Sequence, residues 1–332
     1  MAARAFVLVG LLALPAAAQG RRGDCGAADP DTSIAACSRR IDSDAQDVQA
    51  GRGDARFARA RLATDYDNRG VSYAAKGLYD EAVADYTQAI GLTGDSFPVA
   101  YFNRAGAHAN QGQDDQAIAD YSKAIALEPA GSDPLFKLAD AYNFRGNAHQ
   151  HKGQIDDAIA DYSKAVALNT RLESAYENRG NDYLRQARYD LAVADFGSAL
   201  ALDPRNVASW FNRALAYEKQ GKTDAAIADL TQGIALAPGF AGAYDARGRC
   251  LAQAGQYDKA IADFTRVIEL NGKDMAQHPG FAPQYAVGFS HRGAAHEHVG
   301  AKEAALADYR AALTLDPNSG DAKAGLARLA AR

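Results

Sequence analysis

From residue 63 to residue 317 the chain repeats one pattern of aromatic, small and polar positions seven times. The triplets Asn68-Arg69-Gly70, Asn103-Arg104-Ala105, Phe144-Arg145-Gly146, Asn178-Arg179-Gly180, Asn212-Arg213-Ala214, Ala246-Arg247-Gly248 and His291-Arg292-Gly293 mark the copies, at successive offsets of 35, 41, 34, 34, 34 and 45 residues. Places within a copy are counted so that the triplet's arginine is place seven. Place four is then always aromatic (Tyr66, Tyr101, Tyr142, Tyr176, Trp210, Tyr244, Phe289), place eight is Gly or Ala, and place twenty is Ala every time. Place twenty-four holds Tyr86, Tyr121, Tyr162, Phe196, Leu230, Phe264 and Tyr309. Glycine at place fifteen, replaced only by Ala187 in the fourth copy, supplies the left-handed cap that ends a helix. The pattern predicts two helices per copy, approaching closely at places eight and twenty, with the aromatics filling the space between neighbours. One such hairpin cannot bury its apolar faces alone, so the copies must stack.

The period, with Pro129, Pro204, Pro238 and Pro317 closing four copies, resembles the tetratricopeptide repeat. The resemblance implies an all-α, right-handed α-solenoid of about seven helix hairpins, over 63–97, 98–138, 139–172, 173–206, 207–240, 241–285 and 286–319. Residues 19–62 are expected to form an N-terminal half repeat, because Ser33 to Ile41 aligns with the second helix of a copy and puts Cys37 at place twenty-four. A capping helix is expected over 320–332, opened by Asp321 as its N-cap residue. In tetratricopeptide proteins places two, five, nine, twelve and thirteen face a concave groove. That assigns Phe102, Asn110, Asn143, Asn147, Asn181, Arg185, Phe211, Lys219 and Arg249 to a peptide-binding groove. Asparagine amides bond a peptide backbone without demanding a sequence, and Phe side chains supply anchors, so the expected partner is an extended peptide or a partner helix.

Two features depart from the family. Place seven is arginine throughout (Arg69, Arg104, Arg145, Arg179, Arg213, Arg247, Arg292) and place twenty-three is aspartate throughout (Asp85, Asp120, Asp161, Asp195, Asp229, Asp263, Asp308). A structural ladder of bidentate ion pairs, within a repeat or between neighbours, is the reading taken; a ligand-binding arginine row is the alternative. The long offsets place seven extra residues near Ala130 to Lys137 and eleven near Gly272 to Pro283. Phe136, Met275, His278, Phe281 and Tyr285 could form a contact patch there, or the insertions could simply be packed down.

Composition narrows the function. A formal charge of -5 argues against nucleic acid as a partner. Arg4, an apolar stretch from Ala5 to Pro15 and Ala16-Ala17-Ala18 read as a signal peptide over residues 1–18, leaving no membrane span in the mature chain and an exported, periplasmic or secreted, destination. In that compartment Cys25 and Cys37, twelve residues apart, are expected to pair, a closure worth about 3 kcal/mol. Cys250 sits at place ten as a small core thiol, and His108, His149 and His296 replace tyrosines at place eleven, so neither a nucleophile nor a metal site is assigned. With no cofactor motif either, the expectation is a non-catalytic interaction scaffold in cell-envelope assembly or secretion. The alternative is a regulatory or substrate-recruiting subunit of an envelope enzyme complex.

Overall fold

The structure, a computed structural model, describes residues 25–52, 54–128, 138–275 and 282–331. The expected signal peptide, the whole of the first insertion and residues 276–281 of the second lie outside them. The described residues form helices and no strand: α1 (Pro30–Gln49), α2 (Ala55–Ala75), α3 (Tyr79–Leu92), α4 (Pro98–Asn110), α5 (Asp114–Leu127), α6 (Leu138–His151), α7 (Ile155–Leu168), α8 (Glu173–Arg185), α9 (Tyr189–Leu202), α10 (Val207–Lys219), α11 (Thr223–Leu236), α12 (Ala241–Gln253), α13 (Tyr257–Met275), α14 (Ala282–His298), α15 (Lys302–Leu315) and α16 (Gly320–Ala330).

The chain divides into two compact units, Met1–Asn178 and Arg179–Arg332, with the division inside α8. In the first, α1 packs on α2, and the hairpins α2/α3, α4/α5 and α6/α7 follow one another through α3–α4 and α5–α6 contacts. In the second, α9 packs on α10, the hairpins α10/α11, α12/α13 and α14/α15 succeed one another, and α16 closes against α14 and α15.

Each hairpin is built on its small residues. The place-twenty alanines Ala82, Ala117, Ala158, Ala192, Ala226, Ala260 and Ala305 are wholly buried. The place-twenty-four side chain lies on place eight of its own hairpin: a Cβ added to Gly70 would meet the Tyr86 ring at 2.7 Å, and one on Gly248 the Phe264 ring at 2.6 Å. These rings therefore fill the inside of a hairpin and also reach the helix that follows, as Tyr121 does to Phe144 and Tyr309 to Gly325. Where place fifteen is glycine it takes a positive φ, and Ala187 adopts the same conformation at φ 58. That is a left-handed geometry an L-alanine disfavours.

Tyr121 is an exception of another kind. Its ring sits between Phe102 and Phe144, and its buried hydroxyl has no hydrogen-bond partner, whereas the Tyr162 hydroxyl donates to Asn147 Oδ1 at 2.8 Å. Losing an unsatisfied buried hydroxyl returns its desolvation cost. Tyr121→Phe is expected to stabilise the protein by about 1 kcal/mol in urea unfolding, and Tyr162→Phe to destabilise it by a similar amount.

The ends are tied down. Asp29 caps α1 by accepting from the Thr32 amide, Cys25 and Cys37 are joined in a disulfide, and the Ser72 hydroxyl on α2 donates to Ser33 on α1 at 2.7 Å. At the other end the cap of α16 is Ser319, two residues earlier than the expected Asp321. Gly325 lies so close under Tyr309 that an added Cβ would meet the ring at 2.2 Å. The second insertion is absorbed partly by longer helices, α13 having 19 residues and α14 17 where α11 has 14 and α10 13. Tyr285 is buried, which removes it from any contact patch; Phe136, Met275, His278 and Phe281 fall outside the described side chains.

Candidate binding surface

The repeated arginines and aspartates meet within each hairpin. In all seven repeats the arginine Nε donates to one oxygen and Nη2 to the other oxygen of the aspartate sixteen residues on, at 2.7–2.9 Å. The aspartates are buried and the arginines nearly so. Hydrogen bonding to the carboxylate holds the guanidinium pKa of Arg69, Arg104, Arg145, Arg213 and Arg247 above the ordinary arginine value. The guanidinium also lies over the place-four ring, as Arg104 over Tyr101 at 5.3 Å and Arg213 over Trp210 at 4.8 Å.

The remaining nitrogen reaches the preceding repeat. Nη1 of Arg104, Arg145, Arg247 and Arg292 donates to the place-twenty-five hydroxyl of Thr87, Ser122, Thr231 and Thr265 respectively, at 2.9–3.1 Å. Arg69 Nη1 donates in the same way to the Ser38 hydroxyl on α1, at 3.0 Å. Sequence reading missed these hydroxyls, although Ser or Thr beside the place-twenty-four aromatic was there to be seen. Arg213 faces Gly197 instead, and a Cβ built there would stand 3.7 Å from its Nη1. Gly197→Ser, which removes a helix-interior glycine and restores the hydroxyl, is expected to raise stability by about 1–2 kcal/mol, read as an increased melting temperature.

A second connection links neighbours through place six of one repeat and places five and nine of the repeat before it. Asn103 Nδ2 donates to Asp67 Oδ1 at 3.0 Å, Asn178 Nδ2 to Asn143 Oδ1 at 3.2 Å and Asn147 Oδ1 at 2.9 Å, and Asn212 Nδ2 to Asn181 Oδ1 at 2.8 Å. His291 Nδ1 lies 2.6 Å from Asp245 Oδ1. Where place six of the following repeat is Phe144 or Ala246, place five is Phe102 or Phe211. Polar thus meets polar and apolar meets apolar across the joint, a pairing readable by comparing place five of one copy with place six of the next.

This arrangement corrects the groove assignment residue by residue. Phe102 is 1% exposed, packed edge-on to Tyr121 and against Phe144 at 5.9 Å, so it belongs to the core and cannot anchor a partner. Asn143 is likewise buried, with its oxygen taken by Asn178. Asn110 turns back on its own helix, donating to the Gly106 carbonyl. Arg249 is held by Glu218 and Asp245, and Arg185 by the buried Asp182. Burial pushes the Asp245 carboxyl up, but His291 and Arg249 outweigh it and hold it below the ordinary value. Phe211 is half-buried against Phe240, ring centres 5.0 Å apart; Lys219 is exposed, without a partner among the described residues. Asn147 and Asn181 are half-buried, each with its oxygen engaged and its Nδ2 without an acceptor among the described residues.

Chemistry of other kinds finds little footing. Cys250 is fully buried and its thiol is pushed up to about 11, chiefly by burial. Among the described residues no three His, Cys, Asp or Glu side chains converge as a metal site would require. His108, His149 and His296 stand 3.7–3.9 Å from the ladder aspartates of their own repeats.

Known proteins place the fold. A search with the sequence found no match among curated proteins. The solved C-terminal part of a TPR repeat-containing protein from Cytophaga hutchinsonii aligns over 77% of this chain and 98% of its own, at 19% identity and a TM-score of 0.63. A tetratricopeptide repeat protein from Parabacteroides merdae aligns over 81% of this chain and 99% of its own, at 18% identity and a TM-score of 0.51. At such identities the likeness is one of fold. Family profiles described as tetratricopeptide repeat match residues 66–96, 98–130, 139–170, 178–239 and 214–275. Together with the repeated places and the hairpins built on them, these matches show that the chain belongs to the tetratricopeptide repeat family.

Proposed function

We propose that this tetratricopeptide repeat protein is a non-catalytic scaffold that holds an extended segment of a protein partner along the first helices of its repeats. The observation that carries this reading is what the two ladders leave over. Each arginine is spent on its own aspartate, while the place-six Asn103, Asn178 and Asn212 donate backwards and keep their carbonyl oxygens, and Asn147 and Asn181 keep their amide donors. A donor and an acceptor side by side match the two groups that an extended peptide presents. In the second unit the half-buried Phe211 and the exposed Lys219 lie on the same helix, α10, and supply an apolar anchor and a cation for an acidic residue.

The reading extends to place. A leader over residues 1–18 and a disulfide fit an exported scaffold working in envelope assembly or secretion. No described helix is long and apolar enough to cross a membrane.

Selection from a library of unstructured peptides displayed on phage tests the proposal. Enriched peptides should bind the purified chain and lose about tenfold in affinity with Asn181→Ala or Phe211→Ala, in variants whose helical circular-dichroism spectra show that they remain folded. A library that yields no binder, or binders indifferent to both substitutions, would sink it.

A further inference from the structure

Helices α1 and α2 overrun the repeat. α4, α8, α10 and α12 begin at place one of their copies, whereas α2 begins at Ala55, eight residues ahead of its own place one. α3, α5, α7, α9, α11 and α15 end at place thirty, whereas α1 runs six residues past Ser43, the equivalent position in the register that sets Cys37 at place twenty-four. At 1.5 Å per residue the two helices overhang by about 9–12 Å.

The overhang is split by charge. The last eight residues of α1 carry Asp42, Asp44 and Asp47 and no Lys or Arg; the first eight of α2 carry Arg56, Arg59 and Arg61 and no acid. Arg61 pairs with Asp44 and Arg52 with Asp47, which consumes two of the acids. Arg56 and Arg59 are exposed and have no side-chain partner among the described residues. Between them stands Phe57, 74% exposed, where the other exposed large apolar side chains are 37–47% exposed. Ala58 and Leu62 are buried, and the rest of this overhanging turn is exposed: Arg56 and Ala60 stand opposite them, with Phe57 on one flank and Arg59 on the other.

We propose that this exposed turn docks on an anionic lipid surface, with Phe57 entering the boundary between headgroups and acyl chains and Arg56 and Arg59 meeting lipid phosphates. A protruding aromatic beside two unpaired cations at the exposed end of the overhang offers an apolar wedge and positive charge to an anionic headgroup layer. The overhang also keeps the rest of an acidic chain about one Debye length from the surface at 0.1 M salt.

Co-sedimentation of the full chain with vesicles tests this. Binding to mixed phosphatidylglycerol and phosphatidylcholine vesicles should exceed binding to phosphatidylcholine alone roughly tenfold and fall as salt is raised. Both Phe57→Ser and the double variant Arg56→Glu/Arg59→Glu should lose it, with melting temperatures unchanged because the side chains are exposed. No preference for anionic vesicles, or equal binding by the variants, overturns the proposal. Binding to soluble polyglutamate but not to vesicles would overturn it in favour of an acidic protein segment.

Discussion

Asp67→Asn is expected to stabilise the first unit at neutral and higher pH and to flatten its response to pH. Asp67 is 7% exposed, and its one hydrogen bond comes from Asn103 Nδ2. Burial pushes its pKa from 3.8 up to about 7, against a smaller lowering by that hydrogen bond. Below the unfolded value both states hold the proton and the residue is neutral to stability. Between about pH 4 and pH 7 the unfolded state gives up its proton and the folded state keeps it, so stability falls as pH rises. Above pH 7 the whole cost is present, on the order of 4 kcal/mol at 1.36 kcal/mol per pKa unit. An asparagine keeps the oxygen that Asn103 needs and has no charge to desolvate. Denaturant unfolding followed at pH 5 and pH 8 should show the wild type losing stability and Asp67→Asn losing much less. A variant less stable than wild type at pH 8 would mean that Asp67 is held there as a paired carboxylate.

The other large effect belongs to the ladder. Arg179→Leu removes two charge-assisted hydrogen bonds and leaves Asp195, 5% exposed, as a buried carboxylate without its partner. Breaking a buried pair from one side costs about 3–5 kcal/mol, whereas replacing both partners by apolar groups is often close to neutral. Arg179→Leu should therefore lower the melting temperature sharply, and Arg179→Leu/Asp195→Leu should recover most of the loss. Equal losses in single and double variants would show that the pair contributes through its own attraction and not by satisfying a buried charge.

The fold was legible because its determinants are local and strict. A wholly buried alanine at place twenty and a glycine or alanine under the place-twenty-four ring admit almost no substitution, so seven copies repeat them. The face a partner would meet was legible only in part. Place numbering says which side of a helix a residue occupies but not how far the next repeat covers it, and Phe102 was hidden because Phe144 stands where four other copies have asparagine. Arg249 read as a free cation for the same reason, since Glu218 lies in the preceding repeat, whereas Asp182 and Asp245 stand one turn back on the helices of Arg185 and Arg249 and their i,i+3 and i,i+4 spacing was there to be read. Phe57 and its arginines were passed over because they precede the first copy and obey no period.

If the arginine ladder builds the scaffold and the asparagines serve the partner, stability and binding must separate. Calorimetric titration of one selected peptide into Asn181→Ala and into Arg179→Leu/Asp195→Leu, with melting temperatures measured on the same samples, asks this directly. The expected result is a loss of about tenfold in affinity for Asn181→Ala with no more than the small fall in melting temperature that follows from losing the Asn212 bond, and near wild-type affinity for the ladder double variant. Retained binding in Asn181→Ala together with lost binding in a folded ladder variant would contradict it and make the arginine row the binding surface.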